Sequence, residues 1–245
     1  EFECFKKNNN WIINNKNFEC DNKEIQNLIN SIVKIQKERE IGEIDDLDKY
    51  GLKEETKKII IGNSERFSLF IGRDTPTMDF YYATTDKKNI FLVSKEINNI
   101  LEKDIFDLRD KRIIPAEIKK EEIEKIEIKR GKNIYIIQKE KGKWKIISPI
   151  NDFADKFKIE NIISNIIEGN VKFFVEDNTK KTDLLFTSSY IKLTTKNETF
   201  SLFFGKEENE EIYAKNSIRP YIFKIDKKVL NDIPENITDL REKYV

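Results

Sequence analysis

Few side chains in this sequence have the types and spacing for chemistry. Ser31 and Lys34 form an S-x-x-K spacing, in which the amine would activate the hydroxyl as an acyl-accepting nucleophile. The companion motifs of that chemistry are missing, and both residues flank the apolar stripe of an expected helix, so two solvated side chains are expected. Asp45, Asp46 and Asp48 form a carboxylate cluster of the kind a hard cation such as Ca²⁺ accepts. The glycine and the bidentate Glu of a calcium loop are absent, and the cluster has no counterpart in the second half of the chain, so it reads as an acidic loop. Arg109 and Arg241 recur at matched places and would hold an anion or clamp the fold; the clamp is expected. Trp11 and Trp144 are expected to be core anchors rather than stacking platforms for a sugar or a base.

Histidine is absent, which removes the commonest general base and the commonest transition-metal ligand together. The phosphate-cradling G-x-x-x-x-G-K and G-x-G-x-x-G patterns are missing, as is the G-x-S-x-G nucleophile turn. No catalytic, cofactor-binding or metal-binding residue is therefore assigned, and no cofactor is expected. A hydrolase built on carboxylates alone, of the glycosidase kind, is the enzyme class that needs none of these parts.

The elements that position these residues follow from an internal repeat. Asp239-Leu240-Arg241 and Lys243 repeat Asp107-Leu108-Arg109 and Lys111. Walking backwards, Ile222-Phe223 repeats Ile90-Phe91, Tyr213-Ala214 repeats Tyr82-Ala83, FSLFFG at 200–205 repeats FSLFIG at 67–72, and Trp144 repeats Trp11. The offsets stay between 131 and 133, in order. The chain is two copies of one module, with the boundary near Ile114–Lys120: residues 1–114 and 115–245.

Each copy predicts the same elements. A strand pair ends on the tryptophan: Phe2–Phe5 with Trp11–Ile13, and Ile134–Gln138 with Trp144–Ile147. A helix follows, capped by Asp21 (with Glu24 completing a capping box) or Asp155. Ile25, Leu28, Ile29, Ile32 and Val33 make one apolar stripe, and Ile159, Ile162, Ile163, Ile166 and Ile167 make the other. A hairpin comes next, Lys58–Ile61 to Phe67–Ile71 and Tyr190–Thr194 to Phe200–Phe204. Two short strands and a last helix capped by Ser94 or Asp226 end each copy. The fold class is α+β: two tandem copies of a mostly antiparallel sheet module with helices packed on the sheet. Copy two carries an additional strand, IEKIEIKR at 123–130, whose counterpart would lie ahead of Glu1. The chain opens inside an expected strand, so an upstream segment is expected; otherwise copy two serves both modules.

Cys4 aligns with Ile137 and Cys20 with Ala154. Such slots want a small buried hydrophobe, so two buried, reduced thiols are expected, with a disulfide as the alternative if the protein is exported. The 45 basic and 45 acidic residues balance and interleave, which excludes the basic footprint of a nucleic-acid binder. No stretch is long and apolar enough for a membrane helix.

The Trp strand, the capped helix, Tyr50-Gly51-Leu52, the hairpin ending Phe-Ile-Gly, then Tyr-Ala, Ile-Phe-x-Val and Asp-Leu-Arg-Asp-Lys resemble the bacterial domain-of-unknown-function family 4340. Leu184-Leu185-Phe186 departs from the expected Tyr-Gly-Leu of copy two. The resemblance implies tandem modules behind an N-terminal membrane anchor, outside the bacterial cytoplasmic membrane, accompanying ABC transporters of the gliding-motility type. It carries over no catalytic residue. The expected function is a non-enzymatic accessory or scaffolding protein with protein partners, transporter subunits among them, no nucleic acid, and membrane contact only through that anchor. The alternative is a ligand-binding protein with a cleft between the modules.

One surface separates the copies. RDTPTMDFYYAT at 73–84 stands where copy two has KEENEEIYAK at 206–215. Met78, Phe80 and Tyr81 are a hydrophobic excess that the shared fold does not require. They are the expected partner contact if exposed, and a cover for the junction between modules if buried.

Overall fold

The computed structural model describes residues 2–13, 18–53, 56–114, 118–175, 186, 189–219 and 221–243. The chain divides into two compact units, Glu1–Arg109 and Asp110–Val245. Residues 110–114 lie with the second, bonded there by Ile113 N–H to the Gly169 carbonyl at 3.1 Å and Val171 N–H to the Lys111 carbonyl at 2.7 Å.

In the first unit β1 (Cys4–Lys7), β2 (Asn10–Ile13) and β3 (Phe18–Glu19) form a three-stranded antiparallel sheet in that order. Helix α1 (Asn22–Val33) begins at Asp21, whose carboxylate accepts from the N–H groups of Lys23 and Glu24 at 2.8 and 3.3 Å. Glu24 does not complete the expected box; its carboxylate pairs with Lys103 at 3.7 Å. Of the stripe, Ile25 is buried and Leu28, Ile29 and Ile32 are half-buried. Val33 is exposed, because the helix stops there and Lys34 caps it.

The second sheet of this unit takes β4 (Arg39–Glu43), β5 (Lys57–Gly62), β6 (Arg66–Asp74), β7 (Phe80–Thr84) and β8 (Asn89–Ser94), in the order β4-β8-β7-β6-β5. Leu69, Ile71, Ala83, Phe91 and Val93 from its strands join Ile97 and Ile100 in a core, with Leu28 and Ile32 of α1 packed against them. Ser94 caps a 3-10 turn (Lys95–Ile97) that runs into α2 (Asn98–Leu101). A reciprocal Asp104–Asp107 capping box opens α3 (Ile105–Leu108).

The second unit contains β9 (Lys125–Arg130), β10 (Asn133–Glu140), β11 (Lys143–Ser148), β12 (Asp152–Phe153), α4 (Lys156–Ile167), β13 (Phe173–Val175), β14 (Ser189–Thr194), β15 (Thr199–Glu208), β16 (Glu211–Asn216), β17 (Ile222–Asp226) and α5 (Lys228–Asn231). Its strands form one sheet, β12-β11-β10-β9-β14-β15-β16-β17-β13. Helix α4 buries Ile159, Ile162, Ile163 and Ile166. Without β9, this order is that of the first unit, strand for strand.

The repeat extends to single hydrogen bonds. Cys20 N–H donates to the Trp11 carbonyl at 2.9 Å, as Ala154 N–H does to Trp144 at 3.0 Å. Asp21 N–H donates to the Leu108 carbonyl at 2.9 Å, as Asp155 N–H does to Leu240 at 2.8 Å. The Asp-Leu-Arg heptad recurs because it closes each module back onto the N-cap of its own helix. Strands β3, β4, β12 and β13 have no clear sequence signal: β3 and β12 are two residues each, and β4 is an edge strand (REIGE) with no fully buried residue.

Candidate functional site

Most chemistry-bearing residues are engaged in holding the fold. Ser31 Oγ donates to the Asn27 carbonyl one turn back at 3.0 Å. Asp46 caps the 3-10 turn Leu47–Tyr50 by accepting from Asp48 N–H at 3.2 Å, and Asp48 pairs with Lys53 at 3.6 Å. Arg109 is buried with its guanidinium 3.6 Å from the centroid of the Phe18 ring. Arg241 occupies the matched position in the second unit, where the strand residue level with Phe18 is Asp152, and it binds that carboxylate at 2.5 Å. One clamp is made twice, by a cation–π stack and by an ion pair.

Trp144 is buried, whereas Trp11 is half-buried. The cysteines also divide. Both are free, Cys20 buried and Cys4 half-exposed, so the expectation that both are buried holds for one. Ile137, the counterpart of Cys4, lies on a strand flanked by β9 and β11, whereas β1 pairs only with β2 among the described residues. The neighbouring Cys20 thiol pulls the Cys4 thiol below its usual value against the opposing effect of burial, and Cys4 together with burial pushes Cys20 up.

The loop from Asp74 to Phe80 presents the hydrophobic excess. Thr75, itself buried, organises it: Thr75 N–H donates to the Phe80 carbonyl and Met78 N–H to the Thr75 carbonyl, both at 2.9 Å. Met78 sits at the tip with φ +62°, a conformation few non-glycine residues adopt, and it is 64% exposed. Phe80 and Tyr81 are half-buried. The Tyr81 ring packs on the core of the second sheet, its hydroxyl donates to Asn98 Oδ1 at 3.0 Å, and Lys95 lies 5.3 Å from its centroid. Lys95 also pairs with Asp74 at 2.5 Å, which holds the ammonium above its usual value. The three expected contact residues are therefore neighbours with different exposure: Met78 is presented, Phe80 is partly so, and Tyr81 anchors the loop.

The second unit also holds a buried polar cluster, which no sequence motif marks. Asp110 and Arg219 are both buried and meet at 2.6 Å. Arg219 Nη1 also donates to the carbonyls of Asp110 and Arg112 at 3.0 Å each, and Arg112 adds an ion pair to Asp110 at 2.8 Å. Burial pushes the Asp110 carboxyl up, but hydrogen bonds from Arg112 and the Arg219 charge outweigh it, so the carboxyl is held below its ordinary value. Asn216 ties the Ile113 carbonyl at 2.7 Å into the same cluster. Asp110 lies inside the recurring heptad, but Arg219, 109 residues on, carries no local signal.

The family described as "Domain of unknown function (DUF4340)" matches residues 11–185 and again 144–245. The chain belongs to this family. No curated protein and no solved structure matches it. The two overlapping matches agree with the tandem arrangement of this DUF4340 chain. Its family-like residues turn out to be packing residues. The Tyr50 ring stands edge-on to Tyr82 with centroids 4.8 Å apart. Gly51 has φ +66°, and Leu52 is buried. A Cβ on Gly72 would lie 2.0 Å from the Tyr50 carbonyl oxygen, so only glycine lets the two segments touch. Leu184 and Leu185 lie outside the described residues; Phe186 carries the Lys215 ammonium 4.9 Å over its ring. Among the described residues no helix is long and apolar enough to cross a membrane.

Proposed function

We propose that this chain is a non-enzymatic accessory or scaffolding protein at the extracytoplasmic face of a bacterial cytoplasmic membrane, contacting subunits of an ABC-type transporter. The observation that carries the contact is Met78: a flexible, polarizable side chain exposed at the tip of an ordered turn, in one unit of a repeat whose other unit is acidic at that place. Interfaces concentrate Met and aromatics, and here Phe80 adds a half-exposed ring beside it. The non-enzymatic reading is supported by the engagement of Ser31, Asp46, Arg109 and Arg241 in caps and clamps. The transporter partner rests on the resemblance carried by the sequence motifs.

The test is co-purification of the protein with transporter subunits from its own membrane. Met78→Ser should lower the recovered complex by about tenfold, the effect of a modest interface anchor, while the melting temperature moves by no more than about 1–2 °C because an exposed side chain is lost. Unchanged recovery would overturn the contact. A large fall in melting temperature would place Met78 in the fold instead.

A further inference from the structure

We infer that the first unit is an acceptor for one extended strand, delivered by residues joined directly ahead of Glu1 and running antiparallel to both β1 and β5. The inference goes beyond the accessory reading and stands or falls independently of what Met78 meets.

The second unit displays the complete arrangement. Strand β9 lies between β10 and β14 and is antiparallel to each, paired from Lys125 to Arg130 on both sides. Its inward side chains tie two apolar rows across the sheet. Ile146, Ile137, Ile126, Leu193 and Phe200 are cross-strand partners in sequence, and all are buried. Tyr135, Ile128, Ile191 and Leu202 make the second row, equally buried. Through them a single sheet runs from β12 to β13.

The first unit has both rows with their middle missing. Ile13 pairs with Cys4, and Ile61 pairs with Phe67, at the positions of Ile146, Ile137, Leu193 and Phe200. Phe2 and the Ile59–Leu69 pair stand for Tyr135, Ile191 and Leu202. No described strand pairs with the outer edge of β1 or of β5, so the sheet is broken in two at the place that β9 fills in the other unit. Exposure follows the break. Phe67 is 60% exposed where Phe200, the same residue in the same motif, is 6% exposed. Phe2, Cys4, Ile59 and Ile61 are half-buried, and Ile60 on the opposite face of β5 is exposed. Two edges without a partner strand among the described residues, flanked by uncovered aliphatic and aromatic side chains, are what strand addition uses: backbone hydrogen bonds give the affinity and alternate side-chain pockets give the selectivity.

The occupant has a stated chemistry and a stated source. It carries two aliphatic residues, two apart, facing inward between Cys4 and Ile61 and between Phe2 and Ile59, as Ile126 and Ile128 do in β9. The source follows from topology. Strand β9 reaches β10 through the tight turn Gly131-Lys132, with Arg130 opposite Asn133. Cys4 matches Ile137 at an offset of 133, so the same hairpin puts the missing strand directly ahead of Glu1.

The experiment compares the 245-residue chain with a version extended ahead of Glu1 by a copy of residues 125–133, KIEIKRGKN. Amide hydrogen exchange is read at 4–7 and 57–62 by mass spectrometry. The extension should slow exchange in both segments at least about tenfold, raise the melting temperature of the first unit, and leave the protein monomeric by light scattering. Carrying Ile126→Asp and Ile128→Asp in the copied segment should abolish the effect. Slowing in neither segment, or in 4–7 alone, overturns the proposal, because a hairpin that does not reach β5 leaves the sheet broken. Two further results overturn the source: dimerisation of the 245-residue chain with both segments already protected, and protection by free KIEIKRGKN peptide but not by the fused copy.

Discussion

Replacing Arg219 by Met tests the buried cluster of the second unit. The Arg219 side chain is 3% exposed, and its guanidinium supplies one ion pair to Asp110 at 2.6 Å, together with hydrogen bonds to two carbonyls at 3.0 Å. Methionine fills a similar volume but supplies none of them. Among the described residues the Asp110 side chain, 4% exposed, then keeps only Arg112, whose own side chain is 47% exposed. Breaking one half of a buried pair costs about 3–5 kcal/mol, because a desolvated charge is left behind. For a unit of this size 1 kcal/mol corresponds to roughly 3–4 °C, so the melting temperature should fall by about 10–20 °C. Each unit contains one tryptophan, so fluorescence in a Trp11→Phe background reports the unfolding of the second unit alone. The pH dependence sharpens the test. In the parent the Asp110 carboxyl is held low, so its contribution is present above the unfolded-state value and is lost as pH falls through the folded one. In Arg219→Met one of the two counter-charges is gone while the hydrogen bonds from Arg112 and the burial remain, so the carboxyl moves up from its parent value and protonation relieves part of the penalty. The gap between parent and variant should therefore be smaller at pH 4 than at pH 7. A loss under about 1 kcal/mol, or a gap that does not change with pH, would refute the reasoning.

Thiol counting on denatured, unreduced protein should find both Cys4 and Cys20 free; finding neither would establish a disulfide. In the native state a maleimide should modify Cys4 first, and at a lower pH than an ordinary thiol requires, because Cys4 is the exposed partner and its thiolate is stabilised by Cys20. Arg109→Ala should destabilise the first unit by about 2 kcal/mol in urea unfolding read through Trp11, since it removes a buried stack along with the packing of the stem. Arg241→Ala, at the matched but exposed position, should have a clearly smaller effect on the second unit; equal losses would show that the two clamps are equivalent.

The sequence by itself determined the repeat, the fold class, both long helices and their caps. These are readable because a cap involves neighbours within one turn and an amphipathic stripe is a local periodicity: Asp21 and Asp155 accept from the N–H groups two and three residues on in both units. It also determined that Met78, Phe80 and Tyr81 are an excess over the shared fold, although not which of them is presented. Only the tertiary structure decided that, because Tyr81 is anchored by Asn98 and by a core assembled from distant strands, whereas Met78 is left exposed. The same holds for Asp110 with Arg219, where neither partner marks the other along the chain. It holds most of all for the sheets. IEKIEIKR is legible as an additional strand, but its place between β10 and β14 is a non-local pairing. That place makes one sheet of the second unit and leaves two in the first, so that identical phenylalanines, Phe67 and Phe200, meet opposite environments.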